Sequence, residues 1–239
     1  MRQAPNLTPA PTILIVGASR GLGHAIAAGF LKKGWHVTGT VRAGSGRTLL
    51  HALADAHPDK VEIETLDITR PDEIRALHDR VSGRTFDMLF VNAGTTNPDP
   101  TQTIGEVSTE DFVNLMIANA LGPMRVVEWL SDLVAPTGLI GVMSSGQGSI
   151  ADNDSGQREV YRGSKAALNQ FMRCFAAREA RTPRALLLMA PGWVRTELGG
   201  PDGRLSIDES VPGVVNVLLA KQGRPGLEYL DYRGRTVRW

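Results

Sequence analysis

Tyr161 and Lys165 stand four residues apart in Tyr161-Arg-Gly-Ser-Lys165, a spacing that places a phenol and an ammonium on one face of a helix. A phenol ordinarily ionises near pH 10 and is a poor acid–base group at neutral pH. An ammonium beside it favours the phenolate and lowers that value. A shift of about two units corresponds to roughly 2.7 kcal/mol, within reach of a neighbouring charge and a helix N-terminus. Proton transfer works best when the pKa lies near the working pH. The pair therefore points to Tyr161 as a general acid or base tuned by Lys165. Upstream, Ser144 and Ser145 close an apolar run, where a hydroxyl can hydrogen-bond a substrate oxygen. Asn119 lies in a long helical pattern that Gly122 and Pro123 should perturb, freeing a carbonyl. A water held there by Asn119 can relay protons to Lys165.

A second set of residues suits a phosphate. The buried-strand pattern Ile13-Leu-Ile-Val16 ends in Gly17-Ala-Ser19-Arg20-Gly21-Leu22-Gly23, and a helical pattern follows. Glycines allow a tight turn and close approach of backbone to ligand, and the helix N-terminus attracts negative charge. This is how a Rossmann-type fold holds a dinucleotide, although the spacing is G-x-x-x-G-x-G rather than G-x-G-x-x-G. The same residues fit G-x-S-x-G, a hydrolase nucleophile elbow. That chemistry needs a downstream histidine, and none of the five histidines lies beyond His78.

The residues expected beyond each strand extend the cofactor site. An NAD binder usually places an acid about twenty residues past the glycines. Here no acid precedes Asp55, while Arg20 and Arg42 are available to a 2′-phosphate. Each ionised hydrogen bond is worth about 1.5–3 kcal/mol, so two of them, halved by exposure, favour NADP over NAD by at least about tenfold. Asp67 can accept from an adenine amino group while Ile68 packs on the ring. Asn92-Ala93-Gly94 lets the backbone run against a flat ligand, with the Asn amide free to tie strands together. Pro191-Gly192-Trp193-Val194-Arg195-Thr196 reads as a rigid turn whose Val194 backbone and Thr196 hydroxyl can dock a nicotinamide amide.

Composition bounds the alternatives. The 239 residues are 42% hydrophobic and 21% charged, ordinary for a soluble globular protein. A single cysteine, Cys174, excludes an internal disulfide, and its apolar surroundings suggest a small packed side chain. No Cys/His cluster has zinc spacing, so no metal is expected. No run approaches the eighteen apolar residues of a membrane span, and residues 1–11 lack the apolar core of a secretory signal. A cytoplasmic location is the simplest expectation. Residues 1–54 hold six bases and no acid, against a net charge of +1 for the chain. The bases are dispersed and free of interleaved aromatics, which disfavours nucleic acid and agrees with a phosphate-bearing cofactor.

Strand patterns fall at 12–17, 35–41, 61–66, 86–91, 138–144, 184–190 and 226–231. Helical patterns fall at 22–33, 45–56, 71–82, 109–134, 157–180 and 207–220. Thr69 before Asp72, Ser108 before Asp111 and Ser206 before Glu209 read as capping boxes. Alternating strand and helix predicts one α/β domain over residues 12–239, with a doubly wound parallel sheet of about seven strands and helices on both faces. Residues 1–11 read as a loose tail. The glycine-rich stretch from Thr196 to Ser206 suggests a short mobile lid.

Glycines 17, 21 and 23, Asn92-Ala-Gly94, Asn119, Ser145, Tyr161-x-x-x-Lys165 and Pro191-Gly192 occur in one order along the whole chain after the tail. In this the sequence resembles the classical short-chain dehydrogenase/reductase family. Within it, Ser144–Asn153, Tyr161–Asn169 and the ending Leu230-Asp-Tyr-Arg-Gly…Trp239 look like the C-factor-like and sniffer-like carbonyl reductases. The resemblance implies that Tyr161 is the general acid/base and that Lys165 binds the nicotinamide ribose and lowers the Tyr161 pKa. It also implies that Ser145 orients the carbonyl, that Asn119 completes a proton relay, and that a homodimer or homotetramer forms through the helices at 109–134 and 157–180. Ser145 and Tyr161 are sixteen apart, a few more than the family shows, so Asp152–Gln157 should loop beside the substrate pocket. Ser145 is preferred to Ser144 because Gly148 then falls where the family has glycine. The expected function is an NADP(H)-dependent oxidoreductase interconverting a carbonyl and a secondary alcohol. The alternative is a nucleotide-binding signalling or regulatory protein on the same fold with little turnover.

Overall fold

Side chains alternate across a strand, so one apolar run can supply two layers. In β1 (Thr12–Val16), Leu14 and Val16 enter one core while Ile13 and Ile15 enter another. The computed structural model describes residues 9–239. Its strands β2 (His36–Val41), β3 (Val61–Thr65), β4 (Phe86–Val91), β5 (Val134–Met143), β6 (Ala185–Ala190) and β7 (Gly226–Asp231) join β1 in one sheet. The order is β3-β2-β1-β4-β5-β6-β7, parallel throughout.

Helices cover both faces. On one, α1 (Gly21–Lys32), α2 (Leu49–Ala56) and α7 (Ile207–Lys221) bury Ile26, Phe30, Leu50, Val214 and Leu218 against Ile13, Ile15 and Leu187. On the other, α3 (Pro71–Val81), α5 (Gly122–Leu130) and α6 (Glu159–Arg178) bury Ile74, Leu77, Val127, Leu168 and Met172 against Leu14, Val16 and Leu188. A fourth helix on this side, α4 (Thr109–Met116), packs Leu115 on Val160 and Tyr161. Ser206 caps α7 with its hydroxyl accepting from Glu209 N at 3.2 Å, and Ser108 caps α4 by the same means.

Several expectations are corrected. The helix expected over 109–134 is broken: a π-helical turn at Ile117–Leu121 separates α4 from α5, and a 3-10 turn at Ser131–Leu133 ends it before β5. Pro123 sits at the start of α5, directly after the π turn. Strand β5 begins at Val134, four residues before the expected start. Helix α2 begins at Leu49 because Thr48 caps it reciprocally with His51, a box with an unusual partner. Thr69 does not cap α3. Arg70 holds that position, and the Thr69 hydroxyl donates to Asp67 Oδ1 at 2.7 Å. Cys174 is exposed, on the outer face of α6 opposite Met172 and Phe175. The expected tail lies largely outside the described residues, but Pro11 O accepts from His36 N at 2.9 Å.

Strand β6 is buried along its whole length. Leu187→Ala there should cost about 2–5 kcal/mol, read as a lower urea midpoint at unchanged slope.

Candidate active site

Because every strand is parallel, the segments after β1, β2, β4, β5 and β6 emerge at one edge, and the order reverses between β1 and β4. Open α/β sheets bind ligands at such a point. Here the glycine turn leaves β1. Gly17, at φ 86°, donates its N–H to Thr40 Oγ1 at 2.9 Å, and its carbonyl accepts from Asn92 Nδ2 at 2.8 Å. A Cβ at Gly17 would lie 2.9 Å from Ala93, and one at Gly23 would lie 2.0 Å from the Gly17 carbonyl oxygen. Those two glycines serve packing of the turn on β4 and α1. Gly21, at φ 57°, has open space above it.

The residues fit a diphosphate on their own chemistry. Helix α1 begins without a capping side chain and without an acid in its first turn, so its first amides have no intrahelical partner. They face the space over Gly21. Ser19 and Leu22 flank that space half-buried, with Leu22 packed on the core. Ser19 has no histidine hydrogen-bonded to it among the described residues, which removes the hydrolase arrangement.

Beyond β2, Arg42 is exposed and lines an open cleft with Ala43, Gly44, Ser45, Asp67 and Glu73. Arg20 is not free as expected: it pairs with Glu197 at 2.8 Å, both well exposed, a contact weak enough to exchange for phosphate. Asp67 Oδ1 is occupied by the Thr69 N–H and hydroxyl. Ile68 is 7% exposed and belongs to the core, leaving only an edge for an adenine ring.

At the chemical end, Tyr161 and Lys165 occupy one face of α6, both buried. Lys165 Nζ donates to the Met143 carbonyl at 3.0 Å and lies 5.9 Å from the Tyr161 ring centre. Burial lowers its pKa to about 8. Tyr161 corrects an expectation. Burial pushes its phenol above the usual value, and the opposing pull comes from the Ser145 side chain and the Arg158 guanidinium. Desolvation outweighs the charges in this arrangement, so Tyr161 is a neutral phenol able to donate.

The two serines are separated by their orientation. Ser144 Oγ is buried and donates to Asn169 Oδ1 at 2.6 Å, whereas Ser145 turns outward, its Oγ accepting from Gln147 N at 3.1 Å. Gly148 lies against α6, where a Cβ would meet Asn169 Nδ2 at 2.8 Å. Asn119, fully buried in the π turn, clamps the backbone after β4: it accepts from Thr95 N at 2.8 Å and donates to Thr95 O at 2.9 Å. Its amide also donates to Ser164 Oγ at 3.0 Å, on α6 beside Lys165. Gly94 is the common neighbour, since a Cβ there would contact both Asn119 Oδ1 and Lys165 Nζ.

Beyond β6, Pro191 O accepts from Ser210 Oγ at 2.7 Å, and Gly192 adopts φ 84° against Leu205 and Tyr232. Val194 is buried, while Thr196 Oγ1 accepts from Gly199 N at 3.0 Å. The stretch expected as a short mobile lid carries internal hydrogen bonds. Arg195 N donates to Leu205 O, Leu205 N to Trp193 O, and Gly199 and Gly203 pack against the backbone of residues 194–195. Thr40, Thr95, Ser164, Asn169 and Tyr229, whose hydroxyl donates to the Ser145 carbonyl, were not singled out from sequence. Each is a polar residue with no local pattern; only its partner across the fold marks it.

The short chain dehydrogenase family profile matches residues 11–204, and the chain belongs to that family. C-signal of Myxococcus xanthus is 32% identical over 168 residues, which span 70% of this chain and 100% of that protein. A short-chain dehydrogenase/reductase from Burkholderia multivorans, solved with bound NADP, is 80% identical with a TM-score of 0.96, over 97% of this chain and 100% of that one. A carbonyl reductase from Pseudomonas aeruginosa PAO1, solved with NADP, is 35% identical with a TM-score of 0.88, over 96% and 100%. These are relatives of the kinds that the motifs resemble. Among the described residues, no cluster of His, Cys, Asp and Glu could hold a metal ion, and no helix is long and apolar enough to cross a membrane.

Gly23→Ala should force Gly17 away from Asn92. Dinucleotide affinity is expected to fall at least about tenfold and the thermal midpoint to drop, measured by fluorescence titration and scanning calorimetry.

Proposed function

We propose that this chain is an NADP(H)-dependent reductase that interconverts a carbonyl and a secondary alcohol. The observation that carries this is the placement of Tyr161: a buried phenol with Ser145 facing it, Lys165 one turn away, and the glycine turn at the same sheet edge. The NADP bound in the Burkholderia and Pseudomonas relatives, and the carbonyl reductase activity of the latter, support it.

A nicotinamide dinucleotide, when bound, supplies the hydride for the carbonyl carbon. The glycine turn and the α1 N-terminus would hold its diphosphate. Arg42, with Arg20 released from Glu197, would hold the 2′-phosphate. Asp67, Ile68, Asn92, Ala93 and Gly94 would flank the adenosine and ribose, and Pro191, Gly192, Val194 and Thr196 the nicotinamide. Ser145 donates to the substrate oxygen and holds it beside Tyr161. As the C=O π bond opens, Tyr161 gives its phenolic proton to that oxygen. The ammonium of Lys165 and the guanidinium of Arg158 stabilise the phenolate left behind. Asn119 fixes the turn carrying Gly94 against α6, and with Lys165 forms the inner end of a path that returns the proton.

A second reading, a nucleotide-binding signalling or regulatory protein, draws on the likeness to C-signal. It would be favoured by tight NADPH binding with no turnover across aldehydes, ketones and quinones. A homodimer is also proposed. Phe112, Val113 and Leu121 on and after α4, and Phe171 on α6, are large apolar side chains left exposed on neighbouring elements.

Tyr161→Phe should lower kcat/KM for NADPH-dependent carbonyl reduction by at least about a thousandfold, measured by loss of NADPH absorbance; near-normal activity would rule out the mechanism. In the wild type, kcat/KM for reduction should fall as pH rises past about 8, because Lys165 then loses the proton that stabilises the phenolate. Arg42→Ala should raise KM for NADPH about tenfold and leave KM for NADH nearly unchanged.

A further inference from the structure

Arg158 stands three residues before Tyr161, directly after the Asp152–Gln157 stretch. Its backbone is left-handed, φ 59° and ψ 45°, and it is the one non-glycine with positive φ among the described residues. A long side chain pays steric strain there, and strain of this kind collects at functional sites. The strained backbone starts α6 and sends the side chain back over the reacting group. The guanidinium carbon lies 5.0 Å from the centre of the Tyr161 ring, and Nη2 donates to Thr96 Oγ1 at 3.2 Å.

Its charge has no counter-ion. Among the described residues no carboxylate lies within ion-pair distance of Arg158; the adjacent Glu159 turns away to accept from Ile104 N at 2.8 Å. Arg158 Nε is buried and without a hydrogen-bond partner. Only four buried side-chain polar atoms lack partners among the described residues, and three belong to segments framing Tyr161: Arg158 Nε, Gln147 Oε1 just past Ser145, and Asn97 Oδ1 beside Thr96. Native proteins leave few such atoms unpaired. An unpaired Nε on a guanidinium lying over the phenol marks a group that awaits a ligand. A planar guanidinium with a free Nε edge matches a carboxylate in two parallel hydrogen bonds.

Resting on the reductase reading above, we propose that Arg158 is a specificity residue for a carboxylate on the substrate, so that the enzyme acts on oxo acids whose carboxylate lies a few bonds from the reacting carbonyl. The carbonyl meets Tyr161 and Ser145, and the carboxylate meets the guanidinium lying over the same ring. The redox step is unchanged: the carbonyl carbon gains hydride from NADPH, its oxygen gains the Tyr161 proton, and the carboxylate is untouched.

The test compares 2-, 3- and 4-oxo acids with their methyl esters in wild type, Arg158→Lys and Arg158→Asn. Asn tolerates left-handed backbone, so the fold is kept, and the thermal midpoint checks this. In wild type at least one acid should exceed its ester in kcat/KM by tenfold or more. Arg158→Asn should slow both substrates through Tyr161, but the acid-over-ester ratio should collapse to near one, chiefly through KM, and Arg158→Lys should restore part of it. A ratio near one in wild type, or a preference that survives in Arg158→Asn, overturns the proposal while leaving the reductase reading intact. Calorimetric titration of the same acids and esters into NADP-loaded Tyr161→Phe protein separates the remaining outcomes. Arg158-dependent binding of an acid without turnover in wild type keeps this site and removes the reductase reading; absence of both binding and turnover removes both.

Discussion

A lysine ammonium carried out of water at the end of β5 is the constraint around which the site is arranged. Lys165 is 3% exposed, and the hydrogen-bond acceptor found for it is the Met143 carbonyl. Burial weakens its hold on the proton, and that carbonyl returns part of the lost solvation. The contact joins α6 to the last residue of β5. It therefore also fixes where Tyr161, one turn earlier, stands relative to Ser145, two residues later. Moving the helix by a fraction of a turn would leave the charge without its acceptor, so the spacing of Tyr161 and Ser145 and the solvation of the lysine are the same restraint.

A second restraint meets the first at Gly94. The π turn at Ile117–Leu121 rotates Asn119 inward, where its amide takes both backbone groups of Thr95 and the hydroxyl of Ser164. An added residue in the helical ladder is used here, as π turns often are, to aim one side chain. The loop after β4 is thereby held against α6 at the level of the ammonium. The absence of a side chain on Gly94 leaves room for both Asn119 and Lys165 to approach. The nucleotide end works differently. Its glycines are needed where backbone meets backbone, at Gly17 and Gly23, while Gly21 leaves the space in which a phosphate would lie.

Much of the architecture was legible because it depends on local patterns. Seven apolar runs with intervening helical periodicity determine a parallel sheet with two covered faces, and the strand ends locate the ligand edge. Ser108 and Ser206 announce their helices because a hydroxyl three residues before an amide is a local contact. Thr69 misled because a nearer carboxylate, Asp67, competed for its hydroxyl. The helix over 109–134 misled because a π turn keeps the same composition as the α-helix around it. Cys174 misled because its neighbours in sequence face the core while its own direction on the helix faces water.

The order of glycines, asparagines, serine, tyrosine and lysine thus determined the family and the class of chemistry by sequence alone, since these depend on residue type and spacing. The ionisation of those groups was decided by tertiary structure. Sequence places an ammonium near the phenol and suggests a lowered pKa, but how much water each group loses is set by elements distant in the chain, and burial prevails for both. The choice between Ser144 and Ser145, the pairing of Arg20 with Glu197 and the position of Arg158 over the ring are of the same kind. Each depends on the direction of a side chain in space, which no interval along the chain records.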